Sequence, residues 1–255
     1  MKRVLTAAAM APLVVWVVLW GPVWLLYAVV AAVCVLCYRE YDWVAAHYGS
    51  GSPGPVGYGA GILLLLHGDA LLVAAGLTVL ALALAMRAET LAATLPRAAL
   101  LALGVFYIFA PFRCAVLLHG ANPHWLMYGL LISWVGDTGA FYIGRRWGRH
   151  RLAPRISPGK SWEGGIASVA LATVAGALYT GWFLPDVAWW EAAVLSAALN
   201  ALGQTGDLAE SAMKRGAGVK DSGSLLPGHG GLLDRVDSTL FVLPSLYIYL
   251  RLAQF

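Results

Sequence analysis

The chain has 255 residues, 60% of them hydrophobic and 12% charged, with a mean hydropathy of +0.72. Soluble domains carry roughly a quarter charged residues, so these values exclude an ordinary soluble protein and predict an all-α, polytopic integral membrane protein. The net charge of +4 does not argue for nucleic acid as a partner, because the cations flank apolar segments and membrane topology explains them first.

Nine apolar segments follow one another at about 4–20, 22–38, 55–67, 70–86, 97–118, 124–144, 163–184, 188–207 and 236–253. Some are shorter than the ~20 residues of a straight crossing. The third contains Gly57, Gly59 and Gly61, with Gly68 just beyond it, so it is expected either to be re-entrant or to join the fourth as a tight helical hairpin. Lys2-Arg3 ahead of the first segment has the form of a signal peptide. No small-residue cleavage site precedes Gly21-Pro22, however, and an uncleaved first helix is expected.

Short cytoplasmic loops gather Lys and Arg. With the N-terminus inside and nine crossings, 15 of the 17 cations fall on the inside and only Arg113 and Arg251 fall outside. That orientation puts the polar loops 145–162 and 209–235 together on the cytoplasmic side.

Residues 1–120 form an Ala/Leu/Val-rich scaffold with Pro12, Pro22, Pro96 and Pro111 at helix ends or kinks and a Gly/Ser/Pro linker from Gly49 to Pro55. Its acids Glu40, Asp42, Asp69 and Glu89 sit at helix ends, where a solvated role is expected. Cys34-x-x-Cys37 has a metal or redox spacing but lies in an apolar segment without a second pair, which favours structural thiols. Residues 121–255 hold the chemistry, and the two parts are expected to make one integrated membrane domain.

In that half, Asp137 lies inside an apolar run between Gly136 and Gly139. A carboxylate at such a depth is a functional candidate, and it is expected to face the same polar cleft as Asp207. The loop 144–164 is basic and glycine-containing. Its Gly159-Lys160-Ser161 resembles the end of a phosphate-binding P-loop, but Pro154 stands where the first glycine should be and no strand is expected before it. What remains is a phosphate cradle at a helix start near Glu163, with Lys160 as its strongest candidate.

Between residues 207 and 237 stand five of the thirteen acids and four cations. On a helix, Asp207, Glu210, Ser211, Lys214 and Arg215 share an arc of about 140°. Pro227-Gly228-His229-Gly230-Gly231 reads as a loop whose glycine N–H groups can approach an anion. His229 is either a general base or, preferably, a hydrogen-bond donor to phosphate. Asp234 and Asp237, three apart, suit Mg²⁺, which takes one or two carboxylates and fills its shell with water and phosphate oxygens.

The run Ser211-x-x-Lys214-Arg215-x4-Lys220-Asp221-x-Gly223-x2-Leu226-Pro227-x-His229-Gly230-Gly231-x2-Asp234-Arg235-x-Asp237 resembles the signature of the CDP-diacylglycerol synthase (phosphatidate cytidylyltransferase) family. Asp137-Thr138-x-Ala140-Phe141, with Phe where Tyr is common, and Ser157-Pro158-Gly159-Lys160-Ser161-x-Glu163-Gly164 are similar to that family as well. The matching motifs cover about 136–238.

The resemblance implies transfer of a cytidylyl group from CTP to phosphatidate, giving CDP-diacylglycerol and pyrophosphate in a prokaryotic cytoplasmic (inner) membrane. It implies Mg²⁺, replaceable by Mn²⁺, with room for a second monovalent ion. Asp207 and Asp234 are then the metal ligands named first, and Asp237 and Asp137 the next. Lys214, Arg215, Lys220 and Lys160 would hold triphosphate and phosphatidate oxygens. Ser211 and His229 would add hydrogen bonds, Arg235 would stabilise the leaving pyrophosphate, and Ser157, Glu163, Gly230 and Gly231 would line the substrate. Membrane lipids are expected neighbours, and a homodimer is left open. Two alternatives remain: a CTP-dependent polyprenol or phytol kinase, and a membrane transporter.

Overall fold

The computed structural model describes residues 2–49, 51–67, 69–225 and 230–253, with the backbone alone for residues 2–9 and Ala70. Helices dominate it: α1 (Lys2–Leu19), α2 (Val23–Ala46), α3 (Val56–Leu66), α4 (Ala70–Ala85), α5 (Thr94–Ala121), α6 (Pro123–Trp147), α7 (Trp162–Phe183), α8 (Trp189–Gly216), the single turn α9 (Leu233–Val236) and α10 (Thr239–Ala253). A helix answers each of the nine apolar segments. The chain is an all-α polytopic membrane protein. Among the described residues, three helical stretches are long and apolar enough to cross a bilayer, Val23–Ala46, Leu91–Ala121 and Trp162–Phe183. Shorter apolar helical stretches among the described residues are Met10–Leu19, Val56–Leu66, Leu71–Ala85 and Thr239–Ala253, and α6 and α8 carry Asp137, Asp207 and basic last turns.

The chain divides into two compact units. The first consists of Met1–Ala7, Pro22–Cys114 and Met213–Arg235. Its interior is aromatic. Tyr38, Tyr41 and Phe109 are almost fully buried, and Tyr38 meets Tyr58 edge-on at 4.7 Å between ring centroids. Glycines make room for these rings: a Cβ on Gly57 or Gly104 would collide with Tyr38 or Tyr41, and one on Gly61 with Phe109. Gly57 and Gly61 of the third segment are thus explained by ring packing, whereas a Cβ on Gly59 would meet open space. α3 is a separate eleven-residue helix that packs on α4. The Tyr41 hydroxyl donates to the Leu100 carbonyl at 2.9 Å. Cys34 and Cys37 are both buried in this interior.

The second unit consists of Ala8–Gly21, Ala115–Ala212 and Val236–Phe255. Its centre is the α6–α7 pair, whose axes approach closely because small residues face each other. A Cβ on Gly164 would lie 2.9 Å from the Ala140 carbonyl oxygen and 3.0 Å from the Gly144 Cα. Buried hydroxyls are satisfied within the unit, with Tyr128 and Ser196 sharing a 2.8 Å hydrogen bond and Ser168 donating to Asn200 at 3.0 Å.

Two expectations need correction. The segment 144–164 is not an open loop: Arg151–Ala153 (β1) and Ser157–Ser161 (β2) pair antiparallel, so Lys160 lies on a strand with another strand before it. Gly and Pro at 158–159 hid this short ribbon from pattern reading. Glu40 is also not solvated. Helix α2 runs eight residues past the predicted end, and Glu40 is only 4% exposed. Of the other acids expected in solvent, Asp42 accepts from Ser52 Oγ at 2.6 Å and the Gly54 N–H at 2.9 Å, and Asp69 caps α4 through the Leu72 N–H at 3.0 Å.

Candidate active site

In the second unit, the start of α7 organises the ribbon. Ser161 caps the helix by accepting from the Gly164 N–H at 3.2 Å, the pattern expected of a Ser N-cap. Glu163 accepts from His150 Nδ1 at 2.6 Å and from the N–H groups of Arg149 and His150 at 3.1 and 3.2 Å. Through these bonds Glu163 fastens the base of the ribbon. Ser157 pairs with Ala153 at the far end of β2. The ribbon aims Lys160 at α8, where its Nζ lies 2.6 Å from Asp207 Oδ2, with the two side chains 23% and 31% exposed.

Asp207 lies on a polar stripe of α8. Gln204 Nε2 donates to Asn200 Oδ1 at 2.9 Å and to the Gly165 carbonyl at 3.1 Å, and Ser211 Oγ reaches Asp207 Oδ1 at 3.4 Å. Beside it, Ser238 bridges two further acids, with its Oγ donating to Asp137 at 3.0 Å and its N–H to Asp237 at 2.8 Å. Asp237 is buried and feels the charges of Asp207, Glu210 and Asp137. Four carboxylates therefore share one neighbourhood in this unit. Sequence reading missed Glu210 as a member, although it lies one turn beyond Asp207 on the same face.

The first unit holds a second cluster around Asp234. Lys214 Nζ forms an ion pair with Asp234 Oδ1, the two side chains being 11% and 9% exposed. The Gly231 N–H donates to Asp234 Oδ2 at 2.7 Å, and the Ser222 N–H reaches both Asp234 oxygens at 3.1 and 3.2 Å. Burial pushes the Asp234 carboxyl up. The Lys214 hydrogen bond, the Gly231 N–H, the Lys214 charge and the Ser222 N–H outweigh it and hold the group below the usual aspartate range. The N–H of Gly231 thus helps to hold this carboxylate. Gly230 has φ of +79°, a left-handed conformation that glycine adopts without strain.

Glu40 underlies this cluster. It accepts from Leu232 N at 2.9 Å, Leu233 N at 2.7 Å and Ser222 Oγ at 3.2 Å. Gly223 and Gly231 pack against its carboxyl so closely that a Cβ on either would crowd it. No motif announced Glu40. The only signal was an acid within three residues of an apolar run. At the end of α2, Tyr48 donates to the Met213 carbonyl at 2.7 Å. Arg215 is exposed and donates to the Val219 carbonyl at 3.2 Å. Lys220 and Arg235 are exposed, and His229 lies outside the described residues.

All donors in both clusters suited to a cation are carboxylate oxygens, the hard ligands Mg²⁺ prefers. Among the described residues no three His, Cys, Asp or Glu side chains close a metal cage by themselves. An ion that draws part of its shell from water and phosphate has no need of such a cage.

A model of the cytidylyltransferase family matches residues 1–253. Proteins named phosphatidate cytidylyltransferase are similar to the chain. That of Staphylococcus haemolyticus is 40% identical over 153 residues, covering 60% of this chain and 59% of that protein. The Staphylococcus saprophyticus protein is 43% identical over 127 residues (50% and 49%), and the Bacillus subtilis protein 41% identical over 128 residues (50% and 48%). The chain thus spans about half the length of the curated relatives it matches.

Proposed function

The chain belongs to the cytidylyltransferase family, and on that premise we propose that it transfers the cytidylyl group of CTP to phosphatidate, releasing pyrophosphate and leaving CDP-diacylglycerol in the membrane. The relatives' printed names support the substrate pair, and the chemistry of the two clusters agrees with it.

A phosphatidate oxygen attacks the α-phosphorus of CTP, and the bond from that phosphorus to the bridging oxygen of the β-phosphate breaks. A phosphate nucleophile needs no base, so catalysis rests on positioning and charge neutralisation. The observation that carries the reading is the pairing of Lys160 with Asp207 and of Lys214 with Asp234. Each pair is half of a phosphate site and half of a cation site: the ammonium can pass from carboxylate to phosphate oxygen, and the carboxylate is then released to a cation. Neither a partly exposed pair nor a nearly buried one contributes much to stability, so a second duty explains their presence. Within the second unit Asp207 and Asp237, with Asp137 beside them, would hold Mg²⁺, which when bound neutralises the triphosphate, and Asp234 of the first unit would be a carboxylate ligand in its own cluster. Arg215, Lys220 and Arg235, exposed beside Lys214 and Asp234 in the chain, are placed to meet CTP or the departing pyrophosphate.

The asymmetry of 15 cations to 2 and the bacterial relatives support a cytoplasmic membrane location, with residues 145–162 and 209–235 facing the cytoplasm.

The test uses purified protein, phosphatidate, Mg²⁺ and CTP labelled at either the α- or the γ-phosphorus. Label from the α position should enter the lipid, and label from the γ position should leave as pyrophosphate. Lipid labelled from the γ position would make the protein a CTP-dependent kinase and overturn the reading.

A further inference from the structure

The residue that fixes the Asp234 segment is on the N-terminal scaffold. Glu40 projects from the last turns of α2, a helix apolar enough to cross a membrane, yet its carboxyl is 4% exposed and takes three donors from the stretch 222–233. A carboxylate so deep in an apolar segment is costly unless it is hydrogen-bonded. Leu232 N and Leu233 N stand at the start of α9, where backbone donors have no helical partner, and Glu40 satisfies both. One residue further on comes Asp234.

The connection is direct. Ser222 gives its hydroxyl to Glu40 and its N–H to Asp234. Gly231 packs its backbone on Glu40 and gives its N–H to Asp234. Two residues thus touch both acids, and Asp234 in turn holds Lys214.

We propose that Glu40 is a positioning residue for the reaction: by clamping Ser222, Leu232 and Leu233 it sets the place of the Asp234 carboxyl and, through it, of the Lys214 ammonium. The assignment rests on the cytidylyl-transfer reading for its catalytic consequence, and on the hydrogen-bond geometry alone for its effect on the segment.

Both Glu40 oxygens are acceptors here, Oε1 from Leu232 N and Oε2 from Leu233 N and Ser222 Oγ. A glutamine can place only one oxygen. In either orientation its NH₂ faces a backbone N–H, so Glu40→Gln loses at least one bond and leaves a buried donor unmet. Ser222→Ala removes one donor and leaves the others. Glu40→Asp keeps the chemistry but falls one methylene short.

The experiment reads hydrogen exchange of residues 213–235 together with kcat and KM for CTP, in full-length protein purified in detergent. Glu40→Gln should speed exchange at Leu232 and Leu233 and lower kcat, each by roughly tenfold or more, with KM for CTP changed less than kcat. Glu40→Asp should recover part of both losses, Ser222→Ala should give a smaller effect in the same direction, and the exposed-acid control Glu89→Gln should match wild type. If Glu40→Gln unfolds the protein, Ser222→Ala decides by the same two readouts. Folded Glu40→Gln or Ser222→Ala protein with wild-type exchange in this segment and wild-type kcat would overturn the proposal. A protein inactive toward phosphatidate even as wild type would sink the functional reading, while the exchange result would still judge the clamp.

Discussion

Lys160 leaves the second strand of a short ribbon and meets Asp207 on α8 at 2.6 Å. A partly exposed pair of this kind contributes only about 0.2–1 kcal/mol to stability, which separates its structural from its catalytic importance. Lys160→Met should melt within a few degrees of wild type in detergent, while cytidylyl transfer falls by roughly 10²-fold or more through loss of a phosphate-neutralising charge. Equal losses in stability and activity would assign Lys160 to the fold instead.

The acids of the second unit can be separated by their response to metal. Asp207→Asn and Asp237→Asn should each lower turnover by roughly 10²–10³-fold and require more Mg²⁺ for half-maximal rate, with Mn²⁺ restoring part of the loss. Asp186→Asn, on an exposed turn between α7 and α8, should behave as wild type in both respects. An unchanged Mg²⁺ requirement in both variants would remove these carboxylates from the metal site.

Asp234 makes a prediction about acid. Its carboxyl is held below the ordinary aspartate value near 3.9. A depressed group contributes stability that is fully present above the unfolded value and is lost as pH falls through the folded one. Thermal unfolding of wild type should therefore be insensitive to this group from pH 7 to about 4 and weaken only below that. Lys214→Met removes both the hydrogen bond and the charge that oppose burial, which moves the folded-state carboxyl up toward or past its unfolded value, so the acid-induced weakening from this group should shrink or reverse. Superimposable profiles of melting temperature against pH would show that the pair is not coupled to folding.

Two glycines of α7 should respond oppositely to the same substitution. A methyl group on Gly181 would stand in open space, whereas one on Gly164 would meet the Ala140 carbonyl and Gly144. Gly181→Ala should be neutral or stabilising by up to about 1 kcal/mol from helix propensity, whereas Gly164→Ala must push α6 and α7 apart and lower the melting temperature. Equal effects would contradict the close approach of the two helices.

Sidedness is open to direct measurement. Single cysteines at Gly159 and Ser224, both exposed, in a protein with Cys34, Cys37 and Cys114 replaced, should resist an impermeant thiol reagent in intact cells and react in inverted vesicles. Labelling from outside would reverse the topology.

Helices were legible in the sequence because an apolar run of membrane length leaves the backbone no other way to satisfy its N–H and C=O groups. The end of α2 was not, since the stretch from Tyr38 to Ala46 continues the helix after hydropathy falls, whereas the polar arc 207–215 already placed the end of α8 on a helix. The ribbon at 151–161 escaped because three- and five-residue strands rich in Pro, Gly and Lys carry no alternating pattern. Asp207, Asp234 and Lys214 stood out as charges in an apolar chain. Glu40 did not, because its partners lie 182 to 193 residues away and nothing local distinguishes it from a solvated helix end.

That separation has a consequence for biosynthesis. At 5–20 residues per second, roughly 10–40 s pass between synthesis of Glu40 and of Leu233. Throughout that interval the donors which hold the carboxyl do not yet exist, and the end of α2 must keep it in water. Helix α2 can therefore enter the membrane early but reaches its final buried setting only when the chain just ahead of α10 arrives, so the Asp234 cluster is among the last parts of the protein to form.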